Sequence, residues 1–383
     1  MATARKKLIT PAAPVGRRAR AKLSNPVGSY FAAGRDKEDM EFSSTGCALV
    51  DEALGGGPVL GRVINIVGDK STGKTGLAME IMAQTLLRFP DAWARYGEAE
   101  SAWDRNHAEA LGMPVDKIIL NPKGSRLETI EQWYEDMEEC LDKYPDRPGV
   151  YVVDSLDAMS DAAEMEGEFD AGSFGGKKPK KIGELFRRMV GRLEAQRVLL
   201  VIVSQLRDKI GVTFGETKTR SGGKALDFYA THIIWLGERD KIKRTVSGVE
   251  RVTGFNVEGA VKKNKAGLAF RKAKYPFLFG YGIDDLTASV EWLFEVGEEK
   301  SLWALGMRKK PPPRAKNRAA LAAAEAADVI DPGANTRPYE EVIREVRDIG
   351  GPAAQELRTK LTALVRVKWR DIELATLPKA SKY

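Results

Sequence analysis

The sequence of 383 residues has few of the side chains that hold metals or form disulfides. It contains two cysteines, Cys47 and Cys140, and two histidines, His107 and His232. So few thiols and imidazoles argue against a disulfide framework and against a cysteine- or histidine-led metal site. No run of about 18 apolar residues occurs, which predicts no membrane span, and the N-terminus lacks the apolar core of a secretion signal. We therefore expect a protein of a reducing cytoplasm.

Acidic residues are absent from two stretches of the chain, although the net charge of +7 is modest. Residues 1–35 carry eight basic residues and no acid, and residues 301–318 carry six basic residues and no acid. Such runs are either solvated segments or contacts to phosphate, and the sequence leaves both open. The sequence predicts a basic N-terminal arm at 1–40, a core at 41–300, a basic Pro- and Ala-rich linker at 301–338 and a small helical region at 339–383.

Strand-like and helix-like patterns alternate through the core. Apolar runs such as "RVINIVG", "GVYVVDS", "VLLVIVSQ" and "ATHIIWL" indicate buried strands. They alternate with helical patterns at 76–89, 126–144 and 181–195, and two more helices are expected at 339–349 and 353–368. This order predicts an α/β fold in which helices flank a mostly parallel sheet.

The most specific motif follows the first of these strands. The segment "GDKSTGKT" matches the phosphate-loop pattern G-x-x-x-x-G-K-[ST], after a strand and at the start of an apolar-periodic helix. Its glycines let backbone N–H groups point at phosphate oxygens, and the helix N-terminus adds a positive field. Lys74 is expected to reach the β- and γ-phosphates of ATP, and Thr75 is expected to bind Mg²⁺. The predicted nucleotide-binding residues of this motif are Gly68, Asp69, Lys70, Ser71, Thr72, Gly73, Lys74, Thr75 and Gly76.

Carboxylates at the ends of two other strands are candidates for the remaining nucleotide chemistry. Asp154 ends the apolar strand "GVYVVD" and is the expected support of the Mg²⁺ hydration shell beside a phosphate loop. Glu98 and Glu100 follow a weaker strand, and residues two apart on an extended segment share one face. Either could polarise the attacking water, and spacing alone does not choose between them.

Several phrases of the chain, longer than single motifs, point to one family of proteins. They are the phosphate-loop region, "EAESAWD", "VVDSLDAM", "SQLRDKIGVTFGETKTRSGGKALDFYA" and "VKKNKAG". Over about residues 41–285 these phrases resemble the RecA family of DNA strand-exchange recombinases. The resemblance implies a RecA-like ATPase core and selects Glu100 over Glu98 as the water-activating residue. It also implies that Gln205 senses the γ-phosphate and that the loop after it binds DNA.

Further site residues are implied by the resemblance alone. Asp104 and Phe279 would lie near adenine. Lys263 and Lys265 would reach the ATP of a neighbouring subunit. Phe228 would lie at the subunit interface. His107 stands where the family commonly has an adenine-stacking tyrosine, so base recognition is expected to differ.

Two basic loops would bind DNA according to the same resemblance. Basic side chains neutralise phosphates, glycine amides approach the sugar–phosphate chain, and aromatic rings stack on bases without regard to sequence. The alternative is a pair of surface loops with two stray aromatic residues. The candidates are Phe174, Lys177, Lys178 and Lys180 in the first loop, and Arg207, Lys209, Phe214, Lys218, Arg220, Gly222, Gly223 and Lys224 in the second.

A site of this size covers few nucleotides, so a long strand needs many subunits in a row. A head-to-tail interface that does not close gives a helical filament. Phe31 in the arm is either an anchor on the next subunit or part of a helix cap. We expect an ATP-dependent recombinase that polymerises on single-stranded DNA and catalyses homologous pairing and strand exchange. The alternatives are a hexameric helicase on the same core, an accessory paralogue without strand exchange, and a small-molecule P-loop kinase.

The expected partners are single- and double-stranded DNA and further copies of the chain. Loading proteins and single-strand-binding proteins are additional candidates. The first loop is longer and more basic than the family pattern, and the family's acidic tail is absent, which favours a phage-encoded, UvsX-like member. Duplex DNA would be gathered by basic residues near the end of the chain, Arg358, Lys360, Arg366, Lys368 and Arg370.

Overall fold

The computed structural model describes residues 40–100, 103–120, 126–162, 165, 177–208, 218–220, 223–309 and 336–378 of the chain. Its strands are β1 (Val63–Gly68), β2 (Trp93–Glu98), β3 (Ile118–Ile119), β4 (Gly149–Asp154), β5 (Val198–Asp208), β6 (Lys218–Arg220), β7 (His232–Val246), β8 (Val249–Asn264), β9 (Lys272–Leu278), β10 (Gly282–Ile283), β11 (Met307–Arg308) and β12 (Arg337–Pro338). Its helices are α1 (Ala48–Ala53), α2 (Lys74–Arg88), α3 (Arg105–Ala110), α4 (Ile130–Lys143), α5 (Lys177–Gln196), α6 (Gly223–Tyr229), α7 (Asp285–Glu295), α8 (Glu299–Ala304), α9 (Tyr339–Ile349) and α10 (Gly351–Thr376).

One large sheet organises the core, with the strand order β10-β9-β8-β7-β1-β5-β4-β2-β3 and with β6 paired to the end of β5. The strands from β7 to β3 in this order pair in parallel. Strands β7, β8, β9 and β10 form an antiparallel extension. The structure confirms the predicted α/β fold, in which helices flank a mostly parallel sheet.

The central strands are buried on both faces, which explains why they are almost wholly aliphatic. Along β1, Ile64 and Ile66 belong to one core, which also contains the apolar face of α2. Val63 and Val67 belong to a second core, which contains Trp133 of α4 and apolar residues of α5. Side chains alternate along a strand, so these two sets of residues point to opposite faces of the sheet, and helices cover both faces of β1. The phosphate loop follows at the carboxyl end of this strand.

Helix α4 begins later than the pattern at 126–144 indicates, because a capping box defines its start. The backbone N–H of Gln132 donates to Thr129 Oγ1 at 3.1 Å, and the Gln132 side chain accepts from the N–H of Thr129 at 3.3 Å. This reciprocal pair satisfies two backbone donors that the first helical turn leaves without partners. The helix therefore begins at Ile130.

The hairpin of β7 and β8 is longer than the sequence pattern predicts. The run "ATHIIWL" ends at Leu236, whereas β7 continues to Val246. Ser247 and Gly248 have φ values of 52° and 79°, as in a two-residue turn that matches the twist of paired strands. Most residues of β7 beyond Leu236 are exposed and polar, so no apolar alternation marks them as a strand.

The C-terminal helices pack against the core through aromatic and charged contacts. Trp369 of α10 and Trp292 of α7 have ring centroids 5.6 Å apart. Several basic residues that we expected to gather duplex DNA instead pair with acids of the core, which makes them less available to phosphate: Arg358 with Asp285 at 3.8 Å, Arg366 with Glu52 at 3.0 Å and Lys368 with Glu298 at 2.7 Å. Within the described part of the chain, every helix is too short or too polar to cross a membrane.

Candidate functional site

The predicted phosphate loop connects the end of β1 to the start of α2. Ser71 and Gly73 have φ values of 57° and 85°, the left-handed conformation that curls a backbone around an anion. A Cβ at Gly68 would lie 2.4 Å from Thr72 Oγ1 and 3.0 Å from a backbone carbonyl oxygen, so only glycine fits there. Lys74 Nζ donates to the carbonyl oxygen of Asp69 at 2.6 Å. The loop therefore has the shape that phosphate binding requires.

Lys74 is largely buried among carboxylates. Burial lowers the pKa of its ammonium group, and the charges of Asp154 and Glu100 act in the opposite direction. A cation in such surroundings is poorly solvated, so a phosphate group gains more from its charge than it would in water. The described geometry suits the predicted role of Lys74, and that role stays a prediction.

Asp154 accepts hydrogen bonds from two hydroxyl groups. Thr75 Oγ1 donates to Asp154 Oδ2 at 2.6 Å, and the buried hydroxyl of Tyr96 donates to the same oxygen at 2.8 Å. Burial raises the pKa of Asp154, and the two hydrogen bonds lower it. Carboxylate and hydroxyl oxygens fit Mg²⁺, which takes one or two protein ligands, substrate phosphates and water. The sequence pattern did not indicate Tyr96, because it lies in a strand that reads as core.

The two candidate glutamates at the end of β2 point to different neighbours. Glu98 Oε1 accepts from the backbone N–H of Trp103 at 3.1 Å, within the loop that follows its own strand. Glu100 Oε1 accepts from Gln205 Nε2 at 2.9 Å and also from the hydroxyl of Ser155. Glu100 therefore lies beside the ends of β4 and β5, where the nucleotide chemistry is expected. This position suits the role that the family resemblance implies for Glu100, and that role stays a prediction.

A cavity of about 890 Å³ lies beside the phosphate loop. Such a volume is typical of a small-ligand site. Asp104 and Phe279, both predicted to lie near adenine, line it together with His107. Burial lowers the pKa of His107 and so favours the neutral form of its ring, while the charge of Asp104 acts in the opposite direction.

Two phenylalanines that the sequence analysis did not select form the apolar wall of this cavity. Phe255 of β8 and Phe277 of β9 stack with ring centroids 5.5 Å apart. A Cβ at Gly76 would lie 2.5 Å from the ring of Phe277, so the first turn of α2 can meet this wall only with glycine at that position. In the sequence, these phenylalanines alternate with polar residues, a pattern that indicates burial. The pattern does not indicate a ligand site, because only the pairing of β8 and β9 with the rest of the sheet brings them to the phosphate loop.

A protein-family model for the RecA N-terminal domain matches residues 27–284. This chain belongs to the RecA family. The RecA protein of Clostridium acetobutylicum is 34% identical to it over 253 residues, which cover 65% of this chain and 68% of that protein. Membership of the RecA family supports an ATP-dependent recombinase with DNA-dependent ATPase activity, and it does not favour the helicase or accessory-protein alternatives.

The lysines expected to act across a RecA subunit interface contact the end of α6. Lys265 Nζ donates to the carbonyl oxygen of Phe228 at 2.8 Å, and Lys263 Nζ donates to the carbonyl oxygen of Asp227. Burial and the charge of Lys265 lower the pKa of Lys263 to about 8. The ring of Phe228 is 70% exposed, although Lys265 lies 5.6 Å from its centroid. Their action on a neighbouring subunit stays a prediction.

Only part of the predicted DNA-binding set falls within the described structure. Lys178 Nζ donates to the carbonyl oxygen of Leu156 at 2.8 Å, while Lys180 and Lys224 are exposed. Gly223 has a φ of 49° at the start of α6. The residues Phe31, Phe174, Lys209, Phe214 and Gly222 lie outside the described residues, as do the side chains of Lys177, Arg207 and Lys218.

Arg220 differs from the prediction of a DNA contact. Its side chain is 8% exposed, and its guanidinium donates to Asn65 and to Asp227. The physical reason is that β6 pairs with the end of β5, which turns this side chain toward the buried strand β1. In this structure Arg220 is engaged within the protein.

Proposed function

We propose that this member of the RecA family polymerises on single-stranded DNA and exchanges strands with a homologous duplex, and that Gln205 couples ATP to DNA. The observation that carries this proposal is the position of Gln205. Its amide donates to Glu100 beside the phosphate loop, and its strand β5 runs on toward the segment expected to bind DNA. One residue would thus contact the groups that act on ATP and lie shortly before the segment that binds DNA.

The nucleotide half of the mechanism uses the phosphate loop and the acids around it. Backbone N–H groups from Gly68 to Gly76 and the ammonium of Lys74 would bind the triphosphate. Thr75 and Asp154 would hold Mg²⁺, which neutralises phosphate charge when bound. Glu100 would orient the attacking water, and Asp104 and Phe279 would contact adenine.

The coupling step is an exchange of hydrogen-bond partners. The Gln205 amide and the Ser155 hydroxyl both donate to one oxygen of Glu100. A γ-phosphate carries more charge than this carboxylate and would draw the amide of Gln205 away. Glu100 would then keep the Ser155 hydroxyl as a donor and could accept from water in place of the amide. The segment attached to β5 would change conformation with its glutamine. ATP binding would therefore create the state that binds DNA tightly, and hydrolysis would release it.

Assembly into a head-to-tail filament would complete each ATP site. We propose that Lys263 and Lys265 exchange their present carbonyl partners for the nucleotide of the next subunit, and that the exposed ring of Phe228 packs at the same interface. Support comes from the exposure of Phe228 and from the closeness of both lysines to it, since Lys265 donates to the carbonyl oxygen of Phe228 and Lys263 to that of Asp227. The arm at 1–40, with Phe31, would dock on the neighbouring core. Stacking by Phe174 and Phe214 would hold the bases.

Several finer statements belong to the same proposal. A phage-encoded, UvsX-like origin is supported by the basic first loop. Activity in a bacterial cytoplasm, together with loading and single-strand-binding partners, follows as an expectation from this origin. The boundaries at 40, 300 and 338 are proposed as those of arm, core and linker.

Hydrolysis and imaging together test the function. The wild-type protein should hydrolyse ATP faster with single-stranded DNA than without it, and it should form open helices on that DNA with a non-hydrolysable ATP analogue. Closed rings that unwind duplexes would instead indicate a helicase. An absence of DNA-stimulated turnover would contradict the recombinase proposal.

A further inference from the structure

A polar side chain is fully buried in the middle of the phosphate-loop strand. Asn65 lies on β1 and has no exposed surface. Its Nδ2 group donates to the carbonyl oxygen of Ile202 and to the hydroxyl of Ser204, both on β5 and both at 2.9 Å. A buried amide costs free energy unless all of its polar atoms are paired, so the oxygen of Asn65 also requires a donor.

That donor comes from the far end of the segment expected to bind DNA. Arg220 ends the short strand β6, which pairs with β5 opposite Leu206. Its Nη1 group donates to Asn65 Oδ1, and its Nη2 group pairs with the carboxylate of Asp227 on α6. One guanidinium therefore connects the phosphate-loop strand, the return stem of the loop and the helix that carries Phe228.

We infer that Asn65, Arg220 and Asp227 form a strut that fixes the return stem of the second DNA loop to strand β1. In this assignment Arg220 is a positioning residue and not a phosphate contact. The inference rests on the proposed function, in which a change of partner at Gln205 alters the DNA-binding segment. The strut would hold the other end of that segment in place. Ser204 immediately precedes Gln205, so the strut secures the segment after β5 close to both of its ends.

The alternative role of Arg220, a direct contact to DNA, fits the geometry poorly. Its side chain is 8% exposed, and its charge is already matched by Asp227. Burial lowers the pKa of Arg220, a cost that a solvent-facing phosphate contact would not carry. The strand β6 has only three residues, so its ladder alone is a weak support for the stem. A planar group with several donors suits a three-element connection.

The conservative variant Arg220→Lys separates the two roles. A lysine keeps the charge and would still bind a phosphate, but one ammonium cannot reproduce the paired geometry of a guanidinium toward both Asn65 and Asp227. The assay is the affinity for single-stranded DNA with and without a non-hydrolysable ATP analogue. The strut predicts that the ATP-dependent gain in affinity falls by about 5-fold or more in Arg220→Lys, the lower range of allosteric couplings. Arg188→Lys, at an exposed pair on α5, is the matched control and should keep the wild-type gain.

Two further variants test the strut away from the arginine. Asn65→Ala truncates a fully buried side chain and could prevent folding. Asp227→Asn keeps the shape of its side chain, so it should fold even if Asn65→Ala does not. Both should reproduce the loss seen in Arg220→Lys, and combining Asp227→Asn with Arg220→Gln should add little to either single change. Hydrogen exchange of the β6 and α6 amides, measured without nucleotide, should be faster in each variant than in the wild type.

The possible outcomes are distinct. If wild-type DNA affinity does not respond to the ATP analogue, the proposed function fails, and exchange of the β6 amides still decides whether the strut exists. If the ATP analogue raises the DNA affinity of Arg220→Lys as much as that of the wild type, but does not raise that of Arg220→Gln, Arg220 is a phosphate contact. That result would overturn the strut. Unchanged exchange and unchanged coupling in Asp227→Asn would overturn it as well.

Discussion

Removing one hydroxyl group from Tyr96 tests the arrangement around Asp154. The change Tyr96→Phe keeps the buried ring and deletes the donor that lies 2.8 Å from Asp154 Oδ2. A hydrogen bond to a charged group contributes about 1.5–3 kcal/mol, and 1.36 kcal/mol corresponds to one pKa unit. Because the lost bond stabilises the ionised carboxylate, its pKa should rise further above its usual range.

The consequence for activity is a displaced pH profile. If ionised Asp154 supports Mg²⁺, the acid limb of the ATPase profile should move up by about 1–2 pH units in Tyr96→Phe. Activity lost at lower pH should return at higher pH, because the carboxylate ionises there. The assay is steady-state, DNA-stimulated hydrolysis at saturating ATP and Mg²⁺ across the pH range in which the fold is stable.

Tyr151→Phe is the matched control. Tyr151 is also a fully buried tyrosine, and its hydroxyl donates to a carboxylate, that of Asp136, on the other side of the sheet from the phosphate loop's helix. It should lower the melting temperature as Tyr96→Phe does, while its pH profile should match that of the wild type. Superimposable profiles for Tyr96→Phe and wild type would refute the reasoning about Asp154.

Three more predictions concern the nucleotide site and the core. Lys74→Ala should abolish hydrolysis, and full turnover would contradict the phosphate-loop assignment. Gly76→Ala places a Cβ 2.5 Å from the ring of Phe277, so ATP binding measured by calorimetry should weaken while α2 remains folded. An unchanged affinity would show that the Phe277 ring moves aside without affecting ATP binding. Burial lowers the pKa of His232 to about 3, so the fold loses stability as pH falls below the unfolded value of about 6.5. Between pH 8 and pH 5, the unfolding free energy of His232→Gln should therefore fall by about 2 kcal/mol less than that of the wild type, as measured by denaturant titration. An equal fall in both proteins would contradict this.

Local patterns in the sequence predict the central sheet and the phosphate loop. The runs around Ile64 and Val201 are aliphatic because both faces of their strands are buried, and the glycines of the loop are needed for its backbone shape. The choice of Glu100 over Glu98 needed the family resemblance. In the structure that choice depends on a contact with Gln205, which is distant in sequence.

Contacts that depend on tertiary pairing were not predictable. Phe255 and Phe277 reach the cavity beside the phosphate loop because β8 and β9 extend the sheet, and their sequence pattern indicates burial alone. Tyr96 reads as an ordinary core residue until Asp154 is placed beside it. Arg220 was expected to face DNA because it lies in a basic loop, and its partner Asn65 belongs to a strand far away in the chain.

The most direct test of the account compares the DNA affinity of the wild type and of Gln205→Ala. Fluorescence anisotropy with a labelled single strand, with and without a non-hydrolysable ATP analogue, measures how far nucleotide tightens DNA binding. Wild type should bind more tightly with the analogue, whereas Gln205→Ala should bind the analogue normally and show no such gain. An equal gain in both proteins would contradict the claim that this amide carries the signal from ATP to DNA.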